Sequence, residues 1–196
     1  MRGIVQATNA NGVGVWGEHA GGGYGILARS HSGLPIVAYG AGDSDIEFFV
    51  SNSGEVFADG AFHPGGADFA EMLPAPPETE PADVLVIAED GRLARSTSPY
   101  QRTVAGVHST KPGFVGGGGE EDDLSGKVPL AVVGVAPVKA SAENGAIHPG
   151  ALLATSSTPG HAMTAGPNPA VGTVIGKALG SLASGTGVIR MLVTLQ

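Results

Sequence analysis

The chain has 196 residues and a formal net charge of −8, with 33 Gly, 14 Pro and no Cys. Hydrophobic residues make up 42% and charged ones only 14%, which excludes a disordered chain and disfavours long solvated helices. Without Cys there is no disulfide framework, no Cys-based metal site and no thiol nucleophile; without a Lys/Arg cluster, nucleic-acid binding is not expected.

The N-terminal run MRGIVQATNANGVGVWGEH has no apolar core, so it is not expected to be a signal peptide. It opens in mid-pattern, as a piece of a longer chain would. No apolar run approaches the roughly 20 residues of a membrane-spanning helix, and no membrane insertion is expected. Across 1–63, short apolar pieces recur: GVGVWGE, GGYGILARS, LPIVAYG, IEFFVSN and GEVFADG. Each ends in Gly, Asn, Asp or Ser, which predicts short strands joined by tight turns. VGVWGE (13–18) and YGILARS (24–30) form a weak repeat. Such strands bury little surface alone, so an intertwined oligomer is expected, anchored by Trp16, Tyr24, Tyr39, Phe48, Phe49 and Phe57.

Residues 64–81, PGGADFAEMLPAPPETEP, read as a joint between this Gly-rich β stem and a head over 82–196. Within it ADFAEML (67–73) carries the chain's one helix signal, two turns stopped before Pro74. On such a turn Asp68 and Glu71 share a face. Two chemistries fit them. Paired carboxylates divide into an acid and a base. Alternatively, Asp68 caps the helix and Glu71 completes a capping box.

In the head, PADVLVIAEDGRLARSTSPYQRTVAGV (81–107) parallels PGALLATSSTPGHAMTAGPNPAVGTVIGK (149–177). Pro81 matches Pro149, Val84-Leu85 matches Leu152-Leu153, Gly91 matches Gly160, and Ala105-Gly106 matches Ile175-Gly176. A related run, VPLAVVGVAPVKAS (128–141), reads as a buried strand, and GVIRMLVTLQ (187–196) as another. The predicted fold class is all-β: a Gly-rich short-strand stem, then a β-barrel or β-sandwich head with an internal duplication.

Other candidate chemistry is sparse. Glu120 to Asp123 form an acidic run in GFVGGGGEEDDLSGK (113–127), but without calcium-loop spacing it reads as a solvated loop. His19, His31, His63, His108, His148 and His161 lack zinc-site spacing and are read as surface or loop residues. No GxSxG, P-loop or Rossmann fingerprint is present; GAGDSD (40–45) and GGGYG (21–25) are too short. No metal and no cofactor are expected.

The run IEFFVSNSGEVFADGAFHPGGADFAE (46–71) resembles the shaft-to-tip junction of phage tail fibres and neck appendages. GADFAE is similar to the GADYAE motif of the auto-processing intramolecular chaperone domain of phage neck-appendage proteins. The match departs at Met72-Leu73-Pro74, where that family usually has aromatic residues. The resemblance implies a structural protein: a homotrimeric fibre or appendage on a virion, injection system or cell surface. Its head would serve assembly, capping or attachment to a surface receptor or glycan. It also implies a second possibility, self-cleavage at Ala67–Asp68, with Asp68 and Glu71 as catalytic residues.

Overall fold

The computed structural model describes residues 16–40, 42, 44–117 and 123–194. Among them there is no helix, and the chain divides into two compact units, Met1–His63 and Pro64–Gln196.

The first unit holds one antiparallel sheet of β1 (Ile36–Tyr39), β2 (Ile46–Val50) and β3 (Val56–Ala58), in that order. Three of the five predicted short pieces are therefore strands. YGILARS (24–30) is not: it has no ladder partner among the described residues, and an extended segment becomes a strand only when its backbone is paired. Residues 13–15 of VGVWGE lie outside the described residues. The β2–β3 turn closes with Gly54 at φ 86°, a left-handed position that suits Gly. Register places Ile36, Val50 and Val56 in one row, and Ala38, Phe48 and Ala58 in the next. One face of the sheet is thus wholly apolar. On the other face Phe49 stacks on Phe57 with ring centroids 4.4 Å apart.

The second unit is built from β4 (Asp68–Pro74), β5 (Val84–Ile87), β6 (Leu93–Arg95), β7 (Val104–His108), β8 (Phe114–Gly116), β9 (Lys127–Ser141), β10 (Leu152–Thr155), β11 (Ala162–Thr164), β12 (Val174–Ala178) and β13 (Thr186–Thr194). The spatial order β9-β13-β12-β10-β11 closes on itself where Ala162 pairs in parallel with Ala140, giving a five-stranded barrel. The order β4-β9-β7-β5-β6 repeats that arrangement. The 15-residue strand β9 belongs to both: its first half ends one repeat and its second half begins the other.

The duplication reaches the level of single residues. Leu85 faces Gly106 and the register slips before Val86–Val104; Leu153 faces Gly176 and slips before Ala154–Val174. Gly91 (φ 79°) and Gly160 (φ 72°) each stand two residues before the second strand of their repeat. Ala75, Leu85, Leu93, Ala105 and Leu130 form one buried cluster. Their register equivalents Ala140, Leu153, Ala162, Ile175 and Met191 all lie in the larger one.

The two repeats are also locked together. Val84 N–H donates to Gly160 O at 2.8 Å, and Gly160 N–H donates to Ser96 O at 2.8 Å. A Cβ on Gly160 would overlap the Asp83 carboxylate, whereas one on Gly91 would meet open space. Gly91→Ala should therefore cost about 1–2 kcal/mol, the price of a left-handed backbone alone. Gly160→Ala should cost about 1–3 kcal/mol more, because the Asp83 contact must also give way. Urea unfolding of the full chain measures both, and equal losses would show that the Gly160 turn does not lock the repeats.

Candidate functional site

The junction after the first unit is a strand. The run 67–73, expected as a short helix, lies instead in and beside β4 (Asp68–Pro74), which pairs antiparallel with β9 over seven residues and parallel with β8 over three. A seven-residue helix is marginal in water, and two ladders outweigh it. Strand geometry reverses the predicted relation of the two carboxylates. Residues three apart in a strand point to opposite faces. Asp68 and Ala70 are buried at 3% exposure, while Phe69 and Glu71 are exposed. The structure thus does not bring Asp68 and Glu71 together within one chain, and neither acts as a helix cap.

The junction lies in a slot lined by glycines. A Cβ on Gly66 would overlap the backbone of Lys111 and Pro112, and one on Gly113 would approach Gly66 O at 2.7 Å. Gly134, at φ 111°, presses on the Ala67–Asp68 peptide: a Cβ there would lie 2.5 Å from Ala67 O. Val135 N–H donates to Ala67 O at 3.2 Å, and Gly113 N–H to Asp68 O at 2.8 Å. Asp68 Oδ2 is buried with no hydrogen-bond partner. Most of the slot comes from residues 109–126, which join β7 to β9 and carry β8; the equivalent connection in the second repeat is only 179–185. The acidic residues Glu120, Glu121 and Asp122 lie outside the described residues, and Asp123 accepts a bond from Ser125 N–H at 2.9 Å.

A second polar centre was not foreseen. Asp83, fully buried, accepts from Lys139 Nζ at 2.8 Å and from Glu80 N–H at 2.8 Å. It also lies 3.1 Å from Arg95 Nε, an ion contact off the line of a hydrogen bond. Lys139 further pairs with Glu80 at 2.5 Å. Burial works against the Lys139 ammonium, but its bonds to Asp83 and Glu80 prevail and raise its pKa. The bond from Lys139 holds Glu80 below the usual carboxylate value. His108, read as a surface or loop residue, is instead the buried end of β7, where burial lowers its pKa despite the nearby Asp83 charge. Asp83, Arg95, His108 and Lys139 lie far apart in sequence, and only the strand register brings them together. The centre joins residues of both repeats around the fully buried Asp83 carboxylate, with Glu80 on its exposed side.

The remaining candidates stay apart. Among the described residues no three His, Asp or Glu side chains converge as a metal site. A hollow of about 200 Å³ lies beside Phe49 and Phe57, with Glu47 and Asp59 at its rim. That is smaller than the usual small-molecule pocket of roughly 300–1,000 Å³.

No protein-family model matches the chain, and no curated protein does. A solved structure shares its fold: the pre-mature bacteriophage phi29 gene product 12, at a TM-score of 0.57 and 14% identity. The match covers 76% of this chain and 24% of that one, so the chain spans about a quarter of the length of the protein it matches.

The pH dependence of the lock follows from the direction of the shifts. The folded state disfavours the His108 imidazolium, so its contribution to stability is complete above about pH 6.5 and is lost as pH falls from there toward the lower folded value. Glu80 adds a further loss below pH 4.5. Thermal unfolding of the full chain between pH 7.5 and 5 should show the first loss, and His108→Gln should flatten it.

Proposed function

We propose that this chain is part of a homotrimeric, phage-type fibre or appendage, with the first unit as interwoven stem and the second as assembly head. One observation carries the reading: no described residue of the first unit is buried. Trp16, Tyr24, Ile26 and Leu27 are each more than two-thirds exposed, and the sheet offers an unbroken apolar face. Other chains covering these faces would give such a unit a core. Copies of the same chain supply matching faces, and closed symmetry leaves none of them open. The fold shared with the phage gene product supports the appendage setting, on a virion, an injection system or a cell surface.

Light scattering on the full chain should give three times 19.4 kDa, and Phe48→Asp, in the centre of the apolar face, should give monomers with the second unit still folded. A stable monomer of the unmodified chain at micromolar concentration would remove the reading.

Self-cleavage at Ala67–Asp68 is the second reading, favoured by the buried, unpaired Asp68 oxygen beside that bond. Hydrolysis also needs a proton donor for the leaving nitrogen and a site for the oxyanion. With Glu71 on the opposite face, one chain does not supply a carboxylate pair at the bond. The junction is therefore structural in the proposed function. The intact mass of the assembled protein should stay at 19.4 kDa. Asp68→Ala should leave stability unchanged or raise it by about 1 kcal/mol, because an unpaired buried carboxylate is itself a cost. A 67-residue fragment that vanishes in Asp68→Ala or Glu71→Ala would establish self-processing instead.

A further inference from the structure

The outer face of β4 and β8 has a composition that neither strand pairing nor core packing requires. Phe69 and Phe114 face each other across the parallel ladder and stack with ring centroids 4.9 Å apart. They are 53% and 39% exposed, and Val133 continues the row on β9 at 48%. In the next row Glu71 lies opposite Gly116. The Glu71 carboxylate lies over that glycine: a Cβ on Gly116 would be 2.5 and 2.7 Å from its two oxygens. A carboxylate is thus held on an open surface beside two stacked rings.

Among the described residues nothing neutralises it. The Glu71 side chain takes part in none of the ion pairs or side-chain hydrogen bonds among them. No Lys or Arg occurs between Arg29 and Arg92. Lys111 Nζ lies against Gly65, and Lys127 stands opposite Pro74, on the other face of the ladder. Meanwhile Arg29, Arg102, Lys177 and Arg190 make no ion pair among the described residues.

We infer that Glu71, Phe69 and Phe114 form a seat for an Arg or Lys side chain of a second copy of this chain. The cation would lie on the ring faces and pair with the Glu71 carboxylate. Ring faces and carboxylate both select positive charge, and a guanidinium meets both at once. The inference rests on the trimer reading, which supplies the second copy. A chain of net charge −8 repels its copies at long range, and local pairs of this kind offset that repulsion and fix register. The site is incomplete in the single chain, and Gly116 is a positioning residue that leaves room for the carboxylate.

The test uses the full chain, with its dissociation constant or subunit-exchange rate measured at low and high salt. Glu71→Gln should weaken assembly by about tenfold or more and reduce its salt dependence. Gly116→Ala should do the same with the charge count unchanged, by displacing the carboxylate. Phe69→Leu, which stays apolar but lacks a ring face, should weaken assembly while leaving the salt dependence. Glu71 is exposed, so the unfolding temperature of the Gln variant should match that of the parent. Glu71→Arg, combined in turn with reversal of each Arg or Lys to Glu, should restore assembly with one partner and thereby name it. Three outcomes overturn the inference. If the parent is a monomer, the trimer reading fails and takes this one with it. If the parent is a trimer that Glu71→Gln and Gly116→Ala leave unchanged, only this inference fails. A loss of assembly that no reversal rescues shows that the cation is not from a second copy.

Discussion

The second unit depends on one shared strand. β9 pairs with β4 and β7 along its first half and with β13 along its second, and β11 closes against its end. The second repeat closes into a five-stranded barrel and the first repeats its strand order without closing. A strand common to both removes one edge from each and ties their two core clusters to a single backbone. The handover falls at Gly134. Its left-handed backbone re-aims the strand, and its missing side chain lets the junction peptide approach. The same residue therefore serves the duplication and the slot that holds Ala67–Asp68.

The two repeats are alike in core and unlike in the connections between their strands. The second repeat joins β12 to β13 by a short connection at 179–185. The first carries 109–126, whose strand and glycines hold β4 rather than complete a barrel. A core can be duplicated without change, because packing asks only for apolar side chains at matching register. The first repeat is also the one that follows the Gly-rich unit directly in sequence.

Much of the fold was legible in the sequence for specific reasons. The duplication shows because its turns need Gly and its bulged strands need small residues, so Gly91, Gly160, Gly106 and Gly176 recur in order. The strands of the first unit show because IVAY, IEFFV and VFA are bounded by turn residues. ADFAEML misleads because Ala, Glu, Met and Leu favour helix locally, while the partners that make it a strand, Val128–Gly134 and Phe114–Gly116, lie 40 or more residues away. The Asp83 lock was invisible for the same reason. Its four side chains come from four segments, and nothing in the spacing of Asp83, Arg95, His108 and Lys139 announces a meeting.

The change from helix to strand alters more than a secondary-structure label. On a helix, Asp68 and Glu71 would be neighbours and would perturb one another. In β4 they occupy different media. Asp68 is enclosed by backbone, where its unpaired Oδ2 is costly and persists only if the surrounding structure over-determines it. Glu71 stands in solvent over Gly116, where charge costs little until another surface covers it. A carboxylate in the second setting favours an opposite charge arriving from outside, and burial of that pair between chains would strengthen it as water leaves. The short motif thus contains two separate devices, one facing the chain's own backbone and one facing outward.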